Sequence, residues 1–145
     1  MSTALESKKL AVLGIFSLVM VLALPLLFVN EAKAGNFQQV YIRLDRLKAS
    51  TATGGTVCAQ PQTVGTEADV QVVFPSGFTV NSTAGNWTVT TTNLPSGATA
   101  WVSIATASAV SGQTVTFPSG DLVVGTLYCF NFSGTSTLTT TTAGN

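Results

Sequence analysis

Beyond residue 34 the side chains available for chemistry are two cysteines, four carboxylates and no histidine. Without histidine, neither a Ser-His-Asp triad nor a His-ligated metal site can be built. Glycoside hydrolysis needs two carboxyl groups facing each other in a cleft. Here Asp45 and Asp121 stand alone, and only Glu67 and Asp69 are neighbours. Those two offer oxygen ligands of the kind calcium takes, but their spacing is also that of the solvated end of a strand. No catalytic residue, metal site or cofactor is therefore expected, and the chain reads as a non-enzyme.

Cys58 and Cys129 remain, and they form the sole possible pair. Whether they join depends on compartment, because disulfides persist outside the cytoplasm. The N-terminus speaks to that. Lys8 and Lys9 precede an uncharged apolar run from Leu10 to Leu24, Pro25 interrupts it, and Ala32-Lys33-Ala34 follows. That is the n-region, h-region and small-x-small site of a secretory signal, with cleavage expected before Gly35. Kept whole, Leu10 to Val29 is a 20-residue apolar stretch long enough to anchor the chain in a bilayer. Either way the remainder is expected to be extracellular or at the cell surface, with Cys58 bonded to Cys129. The closed loop of about 70 residues then contributes on the order of 4 kcal/mol in the chain-entropy model.

The elements that position these residues are strands. Val40, Ile42 and Leu44 alternate with Tyr41, Arg43 and Asp45, although Phe37, Val40, Tyr41, Leu44 and Leu47 also fall at helix-like spacing. Val70, Val72 and Phe74, then Trp87 and Val89, then Val115 and Phe117, alternate in the same way with polar neighbours. Three units, Phe74-Pro75-Ser76-Gly77, Leu94-Pro95-Ser96-Gly97 and Phe117-Pro118-Ser119-Gly120, recur about 20 residues apart. Each is expected to end a strand and reverse the chain, with Pro second and Gly fourth in the turn. Seven to nine short strands parted by such turns predict an all-β fold: one antiparallel, Greek-key β-sandwich preceded by an apolar signal helix. The chain divides into an export segment at 1–34, a β domain at 35–138 and a Thr-rich tail or linker at 139–145.

Composition narrows the partners. Only 8% of residues are charged, the net charge is zero, and from Val70 to Asn145 the one charged side chain is Asp121. A phosphate-reading surface needs clustered Lys or Arg, so nucleic acid is excluded as a partner. Contact with a membrane is expected only through an uncleaved N-terminal segment. Aromatic residues are the leading candidates for a binding surface. By period two, Trp101 falls opposite Ala100, Val102 and Ile104, and Tyr128, Phe130 and Phe132 share one strand face opposite Leu127 and Cys129. An exposed row of rings suits sugars or another subunit, whereas a buried row is simply core. Three Asn-x-Ser/Thr sequons, at Asn81, Asn86 and Asn131, are about what this Ser/Thr content produces by chance.

Taken together, the signal segment, Val57-Cys58, the strand ending in Phe74-Pro75-Ser76-Gly77-Phe78, Asn86-Trp87-Thr88-Val89 and Leu127-Tyr128-Cys129-Phe130 resemble the secreted, Thr-rich β-sandwich modules of bacterial surface proteins. That resemblance implies an immunoglobulin-like domain acting as a stalk, adhesin or coat subunit, with other surface subunits or glycans as partners. Two positions depart from the immunoglobulin pattern: Trp87 comes 29 residues after Cys58, and Tyr128 directly precedes Cys129. The exported, low-charge, Thr/Gly/Ala-rich chain is also similar to fimbrial subunits assembled by strand donation. In that likeness, Gly35 to Lys48 is the donor extension.

Overall fold

Runs that alternate apolar and polar residues bury one face as strands, and the runs of this chain do so. The computed structural model describes residues 35–133 and 137–140, all within one compact unit, Lys33–Asn145. The expected export segment at 1–34, with Leu10 to Val29 and the Ala32-Lys33-Ala34 site, lies outside the described residues. So do residues 141–145.

Eleven strands form among the described residues: β1 (Phe37–Leu44), β2 (Ala52–Thr53), β3 (Gly55–Pro61), β4 (Asp69–Val73), β5 (Thr79–Val80), β6 (Val89–Thr90), β7 (Thr99–Ala100), β8 (Ala109–Ser111), β9 (Thr114–Pro118), β10 (Tyr128–Phe132) and β11 (Leu138–Thr139). The excess over seven to nine comes from two-residue strands, which are too short to leave a periodic trace in sequence. The one helical element among them is a 3₁₀ turn, Ala84–Asn86. The strands make three sheets. The largest runs β1-β3-β10-β6 with β7 also on β10, and two three-stranded sheets run β2-β11-β5 and β4-β9-β8. All pairings are antiparallel except β7 with β10. Thr139 lies in β11, the middle strand of its sheet, and the Thr140 N–H donates to Thr51 O at 3.2 Å.

The pairing of β3 with β10 organises the largest sheet. Its register sets Ala59 opposite Tyr128, Cys58 opposite Cys129, Val57 opposite Phe130, Thr56 opposite Asn131 and Gly55 opposite Phe132. Directly opposed residues share a face. One face therefore carries Tyr128, Phe130 and Phe132, and the other carries Cys129 and Asn131. Cys58 and Cys129 are disulfide-bonded, with Cα atoms 4.2 Å apart and 71 positions of chain between them. The bridge ties neighbouring strands of one sheet, whereas the bridge of immunoglobulin domains crosses between two. Beside it, the Thr56 hydroxyl donates to Asn131 Oδ1 at 2.7 Å, and Asn131 Nδ2 donates to Thr92 O at 2.8 Å.

On the aromatic face, rings of β10 meet rings from the β4-β9-β8 sheet and its flanks. Phe130 packs on Phe117 with centroids 5.1 Å apart, and Phe132 on Phe74 at 5.9 Å. Trp87 touches Phe74, Phe117 and Phe132 at 5.6, 6.4 and 5.7 Å, and its indole N–H donates to Asn81 O at 2.8 Å. Offset and edge-on pairs of this kind contribute about 0.5 to 1.5 kcal/mol each beyond the area they bury.

The proline-containing units behave differently from the expectation. Phe78 N–H donates to Pro75 O and Ala98 N–H to Pro95 O, both at 3.0 Å, so Pro opens each turn and Gly is third in it. In the second turn, Gly97 takes φ of 82°, which only the glycine position of a type II turn requires. The third unit does not reverse the chain. Pro118 ends β9, Ser119 N–H pairs on with Ala68 O, and Gly120 N–H with Val102 O.

Gly55 is required by the same β3–β10 frame. A β-carbon there would stand 2.5 Å from Arg43 O and 2.9 Å from the Phe132 ring, so Phe132 and β1 both occupy the space a side chain would need. Gly55→Ala is expected to lower unfolding free energy by about 1 to 3 kcal/mol, the usual cost of overpacking, measured by chemical denaturation. An unchanged midpoint would show that this approach is not a constraint.

Candidate functional site

Each aromatic residue that the sequence offered as a possible binding surface is in the core. Trp101 is 3% exposed, and Tyr128, Phe130 and Phe132 are as deeply buried. For Trp101 the physical reason is local. β7 ends at Ala100 and the chain turns through Val102 and Ser103, where Ser103 has φ of 53°. Period two therefore stops before Trp101 and says nothing about its side. Its N–H pairs with Cys129 O at 3.0 Å, its indole N–H donates to Ser119 Oγ at 2.8 Å, and its ring meets Phe130 edge-on at 5.6 Å. For the β10 row, of the two alternatives the sequence left open, a core row or a surface stripe, the structure has the core row, and Cys129 on the other face is buried too.

Two of the four carboxylates beyond residue 34, Glu67 and Asp121, are structural brackets. Glu67 Oε1 accepts the Gly65 N–H at 2.7 Å and Oε2 accepts the Leu122 N–H at 3.1 Å. The Glu67 N–H donates back to Asp121 Oδ1 at 3.2 Å. Loops 62–68 and 119–127 are thereby clasped together. Among the described residues, no group of three or more His, Cys, Asp or Glu side chains is arranged to hold a metal ion. The sequon side chains do local work as well. Asn81 Oδ1 accepts the Thr83 N–H at 2.8 Å, Asn131 is engaged as described, and Asn86 is exposed on the 3₁₀ turn.

What the fold leaves exposed is an edge. β1 is the longest strand, it pairs with β3 from Phe37 to Leu44, and no strand among the described residues pairs its other side. Its register carries a shift: Phe37 lies opposite Pro61, Gln39 opposite Gln60 and Val40 opposite Ala59. One extra residue in β1 is a β-bulge, and it places Phe37 on the same face as Val40, Ile42 and Leu44. That face is continuous with the aromatic core, yet Phe37, Val40 and Ile42 are 44%, 57% and 39% exposed, and only Leu44 packs against core residues. An apolar row on an uncovered edge strand is a surface built to be paired or covered.

Charge is divided between the two ends of this strand. Arg43, Arg46 and Lys48, all the cations beyond residue 34, lie within six positions at its C-terminal end, with Asp45 among them. At the N-terminal end, Asn36 O accepts the N–H groups of Gln62 and Thr63, and Glu67 Oε1 comes within 3.6 Å of where a Gly35 β-carbon would stand. Glu67 therefore lies at that end and Asp121, whose Oδ1 accepts the Glu67 N–H, lies beside it; Asp69 follows Glu67 by two positions, at the start of β4. Sequence reasoning missed this surface because it scored residues singly, and charge at strand ends becomes visible only once Glu67 and Asp121 are brought beside Gly35.

Comparison with protein-family models, with curated protein sequences and with solved structures finds no match to this chain.

The burial of Trp101 sets a direct test. Trp101→Ala is expected to cost about 3 to 5 kcal/mol, and Ser119→Ala, which removes the indole's acceptor and the hydroxyl's own bond to Gly120 O, about 1 to 2 kcal/mol. Thermal and chemical unfolding measure both. A Trp101→Ala protein that melts at the wild-type midpoint would return the ring to the surface.

Proposed function

We propose that this chain is a non-catalytic structural and adhesive module of the cell surface, exported from the cytoplasm and folded as a two-layer β-sandwich. Support for two layers comes from the rings of β10 resting on Phe74, directly after β4, and on Phe117 of β9. Support for an oxidising compartment comes from the disulfide at the centre of the largest sheet. The observation that carries the reading is β1: among the described residues the longest strand is left as an edge with its apolar row uncovered. Edge strands are normally shortened, charged or covered, because an open one recruits other chains. Keeping an eight-residue edge with Arg43 as its only charge suits a protein whose work is contact.

Two neighbouring readings fit less well. A glycan platform of Trp101, Tyr128, Phe130 and Phe132 has no exposed ring faces to stack on. Strand donation of the fimbrial kind calls for a donor extension that leaves its own domain, whereas β1 is laid along its own β3.

Recovery of the protein from intact producing cells tests the proposal. The exported form is expected to begin at Gly35, to take up no alkylating reagent without reductant, and to be accessible to protease from outside. Val40→Thr with Ile42→Thr is expected to leave melting unchanged and to reduce retention at the surface. A cytoplasmic protein with two alkylated thiols would overturn the proposal.

A further inference from the structure

We infer that the partner of β1 is a second copy of this chain, docked antiparallel along the same edge across a two-fold axis. The inference rests on the surface-module reading and adds to it the identity of the contact. Three features of β1 lead to it. Its outer side offers the row of backbone N–H and C=O groups that an added strand pairs with. Its apolar row of Phe37, Val40 and Ile42 continues the core face of the sheet beyond the point where the core covers it. Its two ends carry opposite net charge, because the Glu67 and Asp121 carboxylates outweigh the single α-ammonium that cleavage leaves at Gly35.

The charge decides both occupant and direction. Along eight residues the ends of β1 lie roughly 25 Å apart, well beyond the screening length of about 8 Å at physiological ionic strength. Within one molecule the two clusters therefore attract each other little. A second copy laid parallel would set Arg43, Arg46 and Lys48 beside the same cations. Laid antiparallel, the basic end of each copy meets the end of the other where Glu67 and Asp121 lie, with Asp69 two positions along from Glu67, and the arrangement does so twice. A two-fold axis near Val40 to Ile42 also brings the apolar rows side by side, so the uncovered face of each strand is extended by the other. The contact is isologous and closes on itself, so it yields a dimer and not a filament.

Sedimentation of the exported protein tests this, run in ~0.05 M and ~0.5 M salt. A dimer is expected at low salt, with its dissociation constant raised about tenfold or more at high salt. Val40→Lys, at an exposed position, should give a folded monomer. Arg46→Glu and Asp69→Lys should each weaken the dimer, and the double variant should be tighter than either single one, because only an antiparallel copy sets these charges against each other. Unchanged melting of each variant separates a lost contact from a lost fold. A wild-type monomer at every concentration, a dimer indifferent to Val40→Lys, a filament, or a double variant no tighter than its parents would overturn the inference. A monomer still found on the cell surface would sink the pairing alone and leave the surface-module reading standing.

Discussion

The register of β3 against β10 is the constraint on which the rest of the fold depends. Setting Cys58 opposite Cys129 fixes which residues of each strand share a face, because a slip of one position would turn every side chain over. With that register held, Tyr128, Phe130 and Phe132 point to one side and meet Phe74, Phe117, Trp87 and Trp101. Gly55 is the necessary counterpart of Phe132, since any side chain there would meet the ring. The disulfide also closes the 71-position span that contains most of the core, a constraint worth on the order of 4 kcal/mol by loss of unfolded-state entropy. For a core of this size that is a large share of net stability.

Around this frame the fold relies on side chains to do what longer strands would otherwise do. Five of its strands are two residues long, and the loops between longer strands are fastened individually. Glu67 holds loop 119–127 through the Leu122 N–H, Tyr128 Oη accepts the Val123 N–H at 3.2 Å, and Pro61 O accepts the Gly125 N–H at 2.9 Å. Hydroxyls and amides take the part that ion pairs play on more charged surfaces, in keeping with a chain that is 8% charged. β1 contrasts with all of this. It is long and paired to β3 along its length but for one bulge, and its side chains bury little, so its backbone ladder holds it more than packing does. The same property makes it the surface with most to gain from a partner.

Much of the architecture was legible in the sequence. Alternation marked β4 and β9, the cysteine pair marked the joined strands, and the lack of periodic helices marked the all-β class. What escaped did so for local reasons. Phe37 and Val40 look helical because they are three apart, but a bulge adds one residue and returns both to one face of a strand. Trp101 was assigned a side by alternation that ends one residue earlier, at Ala100. The aromatic row of β10 was undecidable because the face opposite it pairs a buried cysteine with one half-buried Asn131, too little polarity to identify the outside. The Pro-Ser-Gly units signal a turn in two places out of three, and nothing in their composition tells the third apart.

Hydrogen exchange in dilute, high-salt solution, with the disulfide intact, tests the central claim most directly. If the β3–β10 register anchors the fold, amides paired between Val57–Ala59 and Tyr128–Phe130 exchange only through global unfolding, and those of β1 exchange through local opening many-fold faster. Equal protection of β1 and β10, or early exchange at Cys58 and Cys129, would contradict a structure built outward from that pair of strands.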